Sequence, residues 1–441
     1  MRPIYAPASN AVTADEIQHQ ELSRRAAGEC VVLLENNGAL PLVKGQKVAL
    51  FGMGANYTVK GGTGSGDVNT RSSVTIEEGL TQEGFTITTG EWLARNREQR
   101  EAAQASYLAE MDRRAKETGL PVVILGFNYP FQIPDAAAIT EEDLQKADTD
   151  TAIYVIARNS GEGADRFDKR GDYLASEAEL RDLQLLAGHF AKVILILNIG
   201  GVMDLSEIRA IKGISAIVLM NQLGNIGGLA IADVLDGAVT PSGKLTDTWA
   251  KSYADYPSSA TFSHNNGNVD DDDYSEGIYV GYRYFDTYGV EPLYSFGYGL
   301  SYTRFETEPV GMTLDGAEIK VTAKVTNVGD TYDGKEVVQV YVSAPQGALD
   351  KPAKELKAYG KTSILRPGES AELTITVPVH SLASYSEEKA AWVLEAGEYT
   401  ILVGGDSRNV KAAGIVKLAQ EITAEQDRNQ FPADPARETT L

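Results

Sequence analysis

The chain has 441 residues, 43% of them hydrophobic and 23% charged. That is the composition of a globular protein too long for one ordinary core, so two or three domains are expected. A formal net charge of -22 repels nucleic acid and anionic membranes but is compatible with a neutral or cationic small substrate, and no apolar run reaches the roughly eighteen residues of a membrane span.

Residues 1–20 form an N-terminal extension without the apolar core of a signal peptide, so a cytoplasmic location is expected. Residues 15–34 read as a helix running into an apolar stretch that Leu40-Pro41-Leu42 closes. The single cysteine, Cys30, lies in that stretch (CVVLL) and reads as a buried structural thiol. From 47 to about 250, short β-branched apolar runs alternate with helical ones. The candidate strands are 47–52, 85–90, 121–127, 151–157, 192–198 and 214–220, and the candidate helices about 91–118, 141–147, 176–190 and 226–236. Strands apolar throughout are covered on both faces, so residues 21–250 are expected to form an αβα sandwich with a mostly parallel sheet. Such sheets bind ligands beyond the carboxyl ends of their strands.

Residues 251–304 lack periodicity and read as an irregular connecting segment rich in Tyr, Gly and Asp. Their acidic run, 270–273, reads as solvated loop, because the ligand spacing of a calcium loop is absent. The four histidines are scattered, so no metal site and no cofactor are expected. From 305 to 420 helices give way to alternating segments at 319–327, 336–344, 371–377 and 397–405, separated by NVGD and RPGES turns: a small antiparallel β-sandwich. Residues 421–441 are polar and read as a linker or tail.

Two loops hold candidate chemistry. Four glycines in KGGTGSGDVNTR (60–71) let backbone approach a ligand closely, yet no Lys follows Gly66 as in a P-loop, and the spacing is not that of a dinucleotide fingerprint. A ligand-facing loop and a purely structural turn both fit it. The second loop, ARNSGEGADRFDKRGDYL (157–174), leaves an apolar strand and sets Glu162 between two glycines among six charged neighbours. Residue types alone leave a solvated surface loop and a proton-handling carboxyl both open. The second reading suits glycoside hydrolysis, in which one carboxyl must stay protonated and donate to the leaving oxygen. Arg166 would lower the pKa of such a group, unless burial or another carboxylate offsets it, or Asp165 pairs with Arg166 and braces the loop. No nucleophile elbow with triad partners is present.

Six stretches in order, AAGECVVLLENNGALPL (26–42), KGGTGSGDVN (60–69), SGEGADR (160–166), GGLAIADVLDGAVTPSGKLTDTW (227–249), EGIYVGYRYFD (276–286) and YSFGYGLSYTRF (294–305), resemble the non-barrel part of glycoside hydrolase family 3, the β-glucosidase family. KEVVQVYVSAP (335–345) with KELKAYGKT (354–362) is similar to its fibronectin-III-like domain. The resemblance spans roughly residues 20–420 and implies an α/β sandwich, which in the family supplies the acid/base Glu, followed by a fibronectin-like β-sandwich. Glu162 falls at the acid/base position. The nucleophilic Asp belongs to the family's (β/α)8 barrel, and no such nucleophile is seen in this chain. KGGTGSGDVN is most similar to members whose barrel comes last, which implies a fragment, a split-gene subunit or a truncated product.

The implied function is the acid/base portion of a retaining, exo-acting β-glycosidase, with a β-linked glucoside, galactoside or xyloside as substrate and a barrel as partner. Lys60, Gly64, Ser65 and Asp67 are expected to shape the substrate-facing loop, and Asp165 and Arg166 to hold Glu162 or touch the aglycone. Residues 279–284 and 294–302 are expected to pack between domains rather than stack on sugar. A non-catalytic carbohydrate-binding or scaffold protein is the alternative, motivated by the absent nucleophile, and a nucleotide-binding α/β protein is a remote third. The face left by an absent barrel would be adhesive, so association with a barrel or with a second copy is expected.

Overall fold

The computed structural model describes residues 11–66, 68–159, 165–272 and 274–428. Helix α1 (Ala14–Cys30) opens with a capping box, the Thr13 side chain bonded to the Glu16 amide and the Glu16 side chain to that of Thr13. It ends two residues before strand β1 (Val32–Asn36), so the apolar stretch expected to prolong the helix is an edge strand instead. Val31 and the first three residues of β1 are buried, whereas Cys30 is exposed. The expectation of a buried thiol fails because the last residue of α1 faces solvent although the next four are core.

The sheet continues with β2 (Lys47–Phe51) and β3 (Thr86–Ile87), then β4 (Thr151–Arg158), β5 (Lys192–Ile199) and β6 (Ile214–Leu219). Their order across the sheet is β1-β6-β5-β4-β2-β3, with only β1 antiparallel. Every residue of β4 is buried, so both faces of the sheet are covered. The helices between are α2 (Ile76–Gln82), α3 (Gly90–Thr118), α4 (Val122–Asn128), α5 (Glu141–Lys146), α6 (Glu177–His189), α7 (Ser206–Ala210) and α8 (Gly227–Leu235). Helix α4 replaces the strand expected at 121–127. VVILGF has strand composition, but periodicity does not separate so short an apolar run from a helix. Pro121 sits extended at the N-cap, and of the whole segment only Leu125 is buried.

A short helix, α9 (Tyr282–Thr287), lies in the connecting segment. Ten strands follow. These are β7 (Phe305–Asp315), β8 (Glu318–Asn327), β9 (Val337–Ser343), β10 (Glu355–Lys361), β11 (Ser370–Pro378), β12 (Ser384–Ser386), β13 (Ala391–Leu394), β14 (Gly397–Gly404), β15 (Val410–Leu418) and β16 (Ile422–Gln426). They form antiparallel sheets β10-β9-β14-β15, β11-β8-β7 and β12-β13-β16 around a second core that includes Val321, Val325, Val340 and Ile401. The polar segment from 421, read as a linker, supplies β16, because ladder hydrogen bonds to β13 need no apolar side chains.

The two cores meet at a polar and aromatic seam. Tyr282 lies 4.7 Å from the Phe296 ring and 5.9 Å from that of Tyr341, and its hydroxyl accepts the Leu356 amide at 2.8 Å. The Tyr294, Tyr298 and Tyr302 hydroxyls donate to Glu35 (2.7 Å) and to the carbonyls of Leu34 (3.0 Å) and Val234 (2.7 Å). Tyr282 packs between the domains, as expected, whereas Tyr294, Tyr298 and Tyr302 pack on the α/β core. Lys335 and Lys361 from the β-sandwich both grip Glu29 of α1, Lys361 at 2.8 Å. Burial alone would raise the Glu29 pKa, but the two ammonium groups outweigh it and hold the carboxyl below its ordinary value.

Candidate active site

Strands β2 and β4 are parallel neighbours from which the chain departs in opposite directions, β2 towards β3 and β4 towards β5. Their carboxyl ends therefore form the switch point of the sheet, where diverging loops leave a crevice. A cleft of about 160 Å³ lies there, lined among others by Thr63, Phe131, Asn159, Asp165, Arg166 and Lys169.

The loop after β2 must first cross β4. Gly52 makes this turn at φ +90°, and a Cβ there would stand 2.4 Å from the Val155 carbonyl oxygen, so no other residue fits. Further along, Asn198, fully buried at the end of β5, accepts the Val59 amide at 2.6 Å and donates to the Val59 and Asn221 carbonyls at 2.9 and 2.7 Å. One amide thus binds the loops after β2 and β6 together. The Lys60 carbonyl accepts the Gly224 amide at 2.9 Å, and its ammonium donates to the Val68 carbonyl at 2.6 Å, closing the glycine loop on itself. Gly64 (φ +80°) opens the 3-10 turn Gly64–Gly66 that holds Ser65, and among the described residues of this loop Thr63 lines the cleft. Asp67 lies outside the described residues.

The loop after β4 carries Glu162, which also lies outside the described residues. Its two flanks are fixed by arginines. Arg158, almost wholly buried, makes a bidentate pair with Glu179 of α6 at 2.7 and 2.6 Å, and its Nε donates to the Asp172 carbonyl at 3.2 Å. Burial would lower the Arg158 pKa, but the Glu179 carboxylate overrides it and the net shift is upward. Glu179 also closes the capping box of α6 with Ser176, so one carboxylate fixes both the strand end and the next helix start. On the far side Arg166 pairs with the Asp172 carboxylate and donates from Nη2 to the Asp172 carbonyl at 2.7 Å. The expected Asp165–Arg166 pair is not formed: Asp165 is exposed at the cleft edge, and the 165–172 turn presents Asp172 to the guanidinium instead.

Two buried polar atoms at this cleft lack a hydrogen-bond partner, Arg166 Nη1 and Asn159 Oδ1. Each such group costs about 1–3 kcal/mol when left unpaired. A hydroxyl, which both accepts and donates, complements a free N–H and a free carbonyl oxygen. The opposite wall, around Phe131, is braced by α3: Tyr107 meets the Phe131 ring edge-on at 5.4 Å, Arg114 lies 4.0 Å over Tyr129, and Arg100 lies 3.5 Å over Tyr57. Phe167 is 41% exposed at the rim. The cleft is thus lined mainly by polar and charged side chains, with Phe131, Ile133 and Phe167 in its apolar part. Among the described residues, no group of three His, Cys, Asp or Glu side chains is placed to hold a metal ion.

Sequence reasoning missed Arg158, Asp172, Glu179 and Asn198. Asn198 did carry a signal, as a lone amide ending an otherwise apolar strand. Asp172 and Glu179 lie 14 and 21 positions from Arg158, and the three converge only through the turn between them.

Residues 31–302 match the Glycosyl hydrolase family 3 C-terminal domain, and residues 336–407 the Fibronectin type III-like domain. The chain is 40% identical to Beta-glucosidase A of Butyrivibrio fibrisolvens over 467 aligned positions, covering 95% of this chain and 53% of that protein. The β-glucosidase of Paenibacillus barengoltzii superposes with a TM-score of 0.80 at 37% identity, over 92% of this chain and 44% of that one. β-Glucosidase 3B of Thermotoga neapolitana in complex with glucose gives 0.79 at 39% identity, over 94% and 56%. The chain spans about half the length of the curated relatives it matches.

Proposed function

The chain belongs to glycoside hydrolase family 3, and from that premise we propose that it carries the acid/base half of a retaining, exo-acting β-glycosidase that hydrolyses β-glucosides. What supports this most is the SGEGADR sequence, whose described residues Asp165 and Arg166, with the neighbouring Asn159, line a cleft at the switch point of the sheet with an uncommitted donor and acceptor. Glu162 is the general acid. An Asp carboxylate from a (β/α)8 barrel attacks the anomeric carbon; the bond to the leaving oxygen breaks, and that oxygen takes the Glu162 proton. Glu162, now a carboxylate, removes a proton from water, whose oxygen displaces the Asp and releases the sugar. Arg166 and Asn159 hold a hydroxyl of the leaving group, and Lys60, Gly64, Ser65 and Asp67 shape the loop that faces it.

No (β/α)8 barrel is present among the described residues, so the nucleophile comes from barrel polypeptide in cis or in trans. That observation also favours a second reading, a carbohydrate-binding or scaffold protein without catalysis. Assay of the purified chain on an aryl β-glucoside, alone and mixed with a folded barrel polypeptide of the family, separates the two. Turnover is expected only in the mixture, with Glu162→Ala slowing it by about 10²–10⁴-fold and azide restoring part of the rate. No turnover in the mixture, together with sugar binding by the chain alone, would establish the second reading.

A further inference from the structure

The two arginines that flank the Glu162 segment converge on one residue. Arg158 lies four positions before Glu162 and Arg166 four positions after it, and both guanidiniums donate to the main-chain carbonyl of Asp172, at 3.2 and 2.7 Å. A carbonyl oxygen has two lone pairs, so one atom accepts both. The Asp172 carboxylate adds two more ties to the same side: one oxygen pairs with Arg166 Nε, and the other accepts the Phe167 amide at 2.8 Å. Each guanidinium therefore has a carboxylate beside it, Glu179 for Arg158 and Asp172 for Arg166. Asp172 is itself set by the turn it closes, with its amide donating to the Lys169 carbonyl at 3.3 Å and the Tyr173 carbonyl accepting Asp204 from the loop after β5 at 2.8 Å.

We infer that Asp172 is the positioning residue of the acid/base loop: it ties Arg158 and Arg166, which stand on either side of Glu162 in the sequence, to one point on the scaffold. A loop whose ends are fixed at a common anchor keeps a catalytic group in register without touching it, and rates are sensitive to displacements of about 1 Å. The carboxylate's part is to hold Arg166, and with it the exit of the loop. The backbone carbonyl would keep Arg158 even if the side chain were changed. The inference rests on the glycosidase reading for its catalytic consequence and on the geometry alone for the anchoring.

The test compares Asp172→Asn, Asp172→Glu and Asp168→Asn, the last removing an exposed charge from the same loop. In the full chain, hydrogen exchange of peptides covering 158–168 is expected to rise by about tenfold in Asp172→Asn, as for loss of a charge-assisted hydrogen bond, with β4 and β5 unchanged. Asp172→Glu should recover part of the protection and Asp168→Asn should match the parent. In the barrel-complemented enzyme, kcat should fall about 10–100-fold in Asp172→Asn with KM nearly constant, and Asp172→Glu should restore part of it. Exchange in 158–168 equal to the parent's in Asp172→Asn would overturn the anchoring. Normal kcat despite faster exchange would overturn the positioning role. If Glu162→Gln left the rate untouched, the glycosidase reading itself would fall, and the exchange result would still decide the anchor.

Discussion

Two loops of this molecule, one in each half, are gathered around a single carboxylate, and they end differently. In the β-sandwich, Glu395 accepts the Ala348 amide at 2.7 Å and the Leu349 amide at 3.4 Å, and pairs with Lys351, which is only 4% exposed. Lys351 also donates to the Leu349 carbonyl at 3.0 Å, and no buried side-chain polar atom of residues 344–353 is left without a partner. In the α/β half, Asp172 gathers its loop in the same way but leaves Arg166 Nη1 and the neighbouring Asn159 Oδ1 uncommitted at a cleft. One device satisfies the buried side-chain groups of its loop, and the other leaves a donor and an acceptor over. Buried polar groups are normally satisfied, so the leftover atoms, rather than the presence of an ion pair, set the loop at the cleft apart from the closed one.

The comparison breaks most readily at Glu395. Replacing it with Ala leaves the buried Lys351 ammonium without its partner, and denaturant unfolding should show a loss of about 3–5 kcal/mol. A loss under about 1 kcal/mol would show that solvent reaches Lys351 and that the loop is not closed. Next comes Gly347→Ala: a Cβ there would meet Glu395 Oε1 at 2.6 Å, so the same unfolding experiment should register about 1–3 kcal/mol. Asp172→Asn should cost less, about 1 kcal/mol, because the Asp172 carbonyl still accepts both arginines. Equal costs for Asp172→Asn and Gly347→Ala would erase the distinction between the two loops.

The smallest effect is a pH dependence. Burial alone would raise the Glu395 pKa, but Lys351 and the two amides outweigh it and hold the carboxyl below its ordinary value. A carboxyl depressed by folding stabilises above its unfolded pKa, near 4.3, and that stability is lost as the pH falls through the folded value. The melting temperatures of the parent and Glu395→Gln should therefore differ at pH 7 and draw together as the pH is lowered through the carboxylate range. A gap that stays constant down to pH 3 would assign the stabilisation to shape rather than charge.

What the chain revealed before folding divides along the same line. Strands β2, β4, β5 and β6 were legible because burial on both faces makes them apolar throughout. β1 was not, since only Val31 separates it from α1, and α4 was not, since an exposed helix of valines and isoleucine copies the composition of a strand. The glycine loop and the loop after β4 were legible as loops, and the topology brings both to one cleft. The clamp was not. Arg158, Asp172 and Glu179 are ordinary charged residues until a turn folds them together, and the pairing expected between the adjacent Asp165 and Arg166 lost to a partner six positions away.

Lys335 and Lys361 hold the first helix from more than three hundred positions downstream, and β1 beside it waits for β6. During synthesis, α1 and β1 thus leave the ribosome long before their partners exist. At typical elongation rates the delay to Lys361 is on the order of tens of seconds. Through that interval the apolar strand beginning at Val32 has an open edge, the kind of segment that chaperones shield and that pairs with the wrong neighbour when translation is crowded.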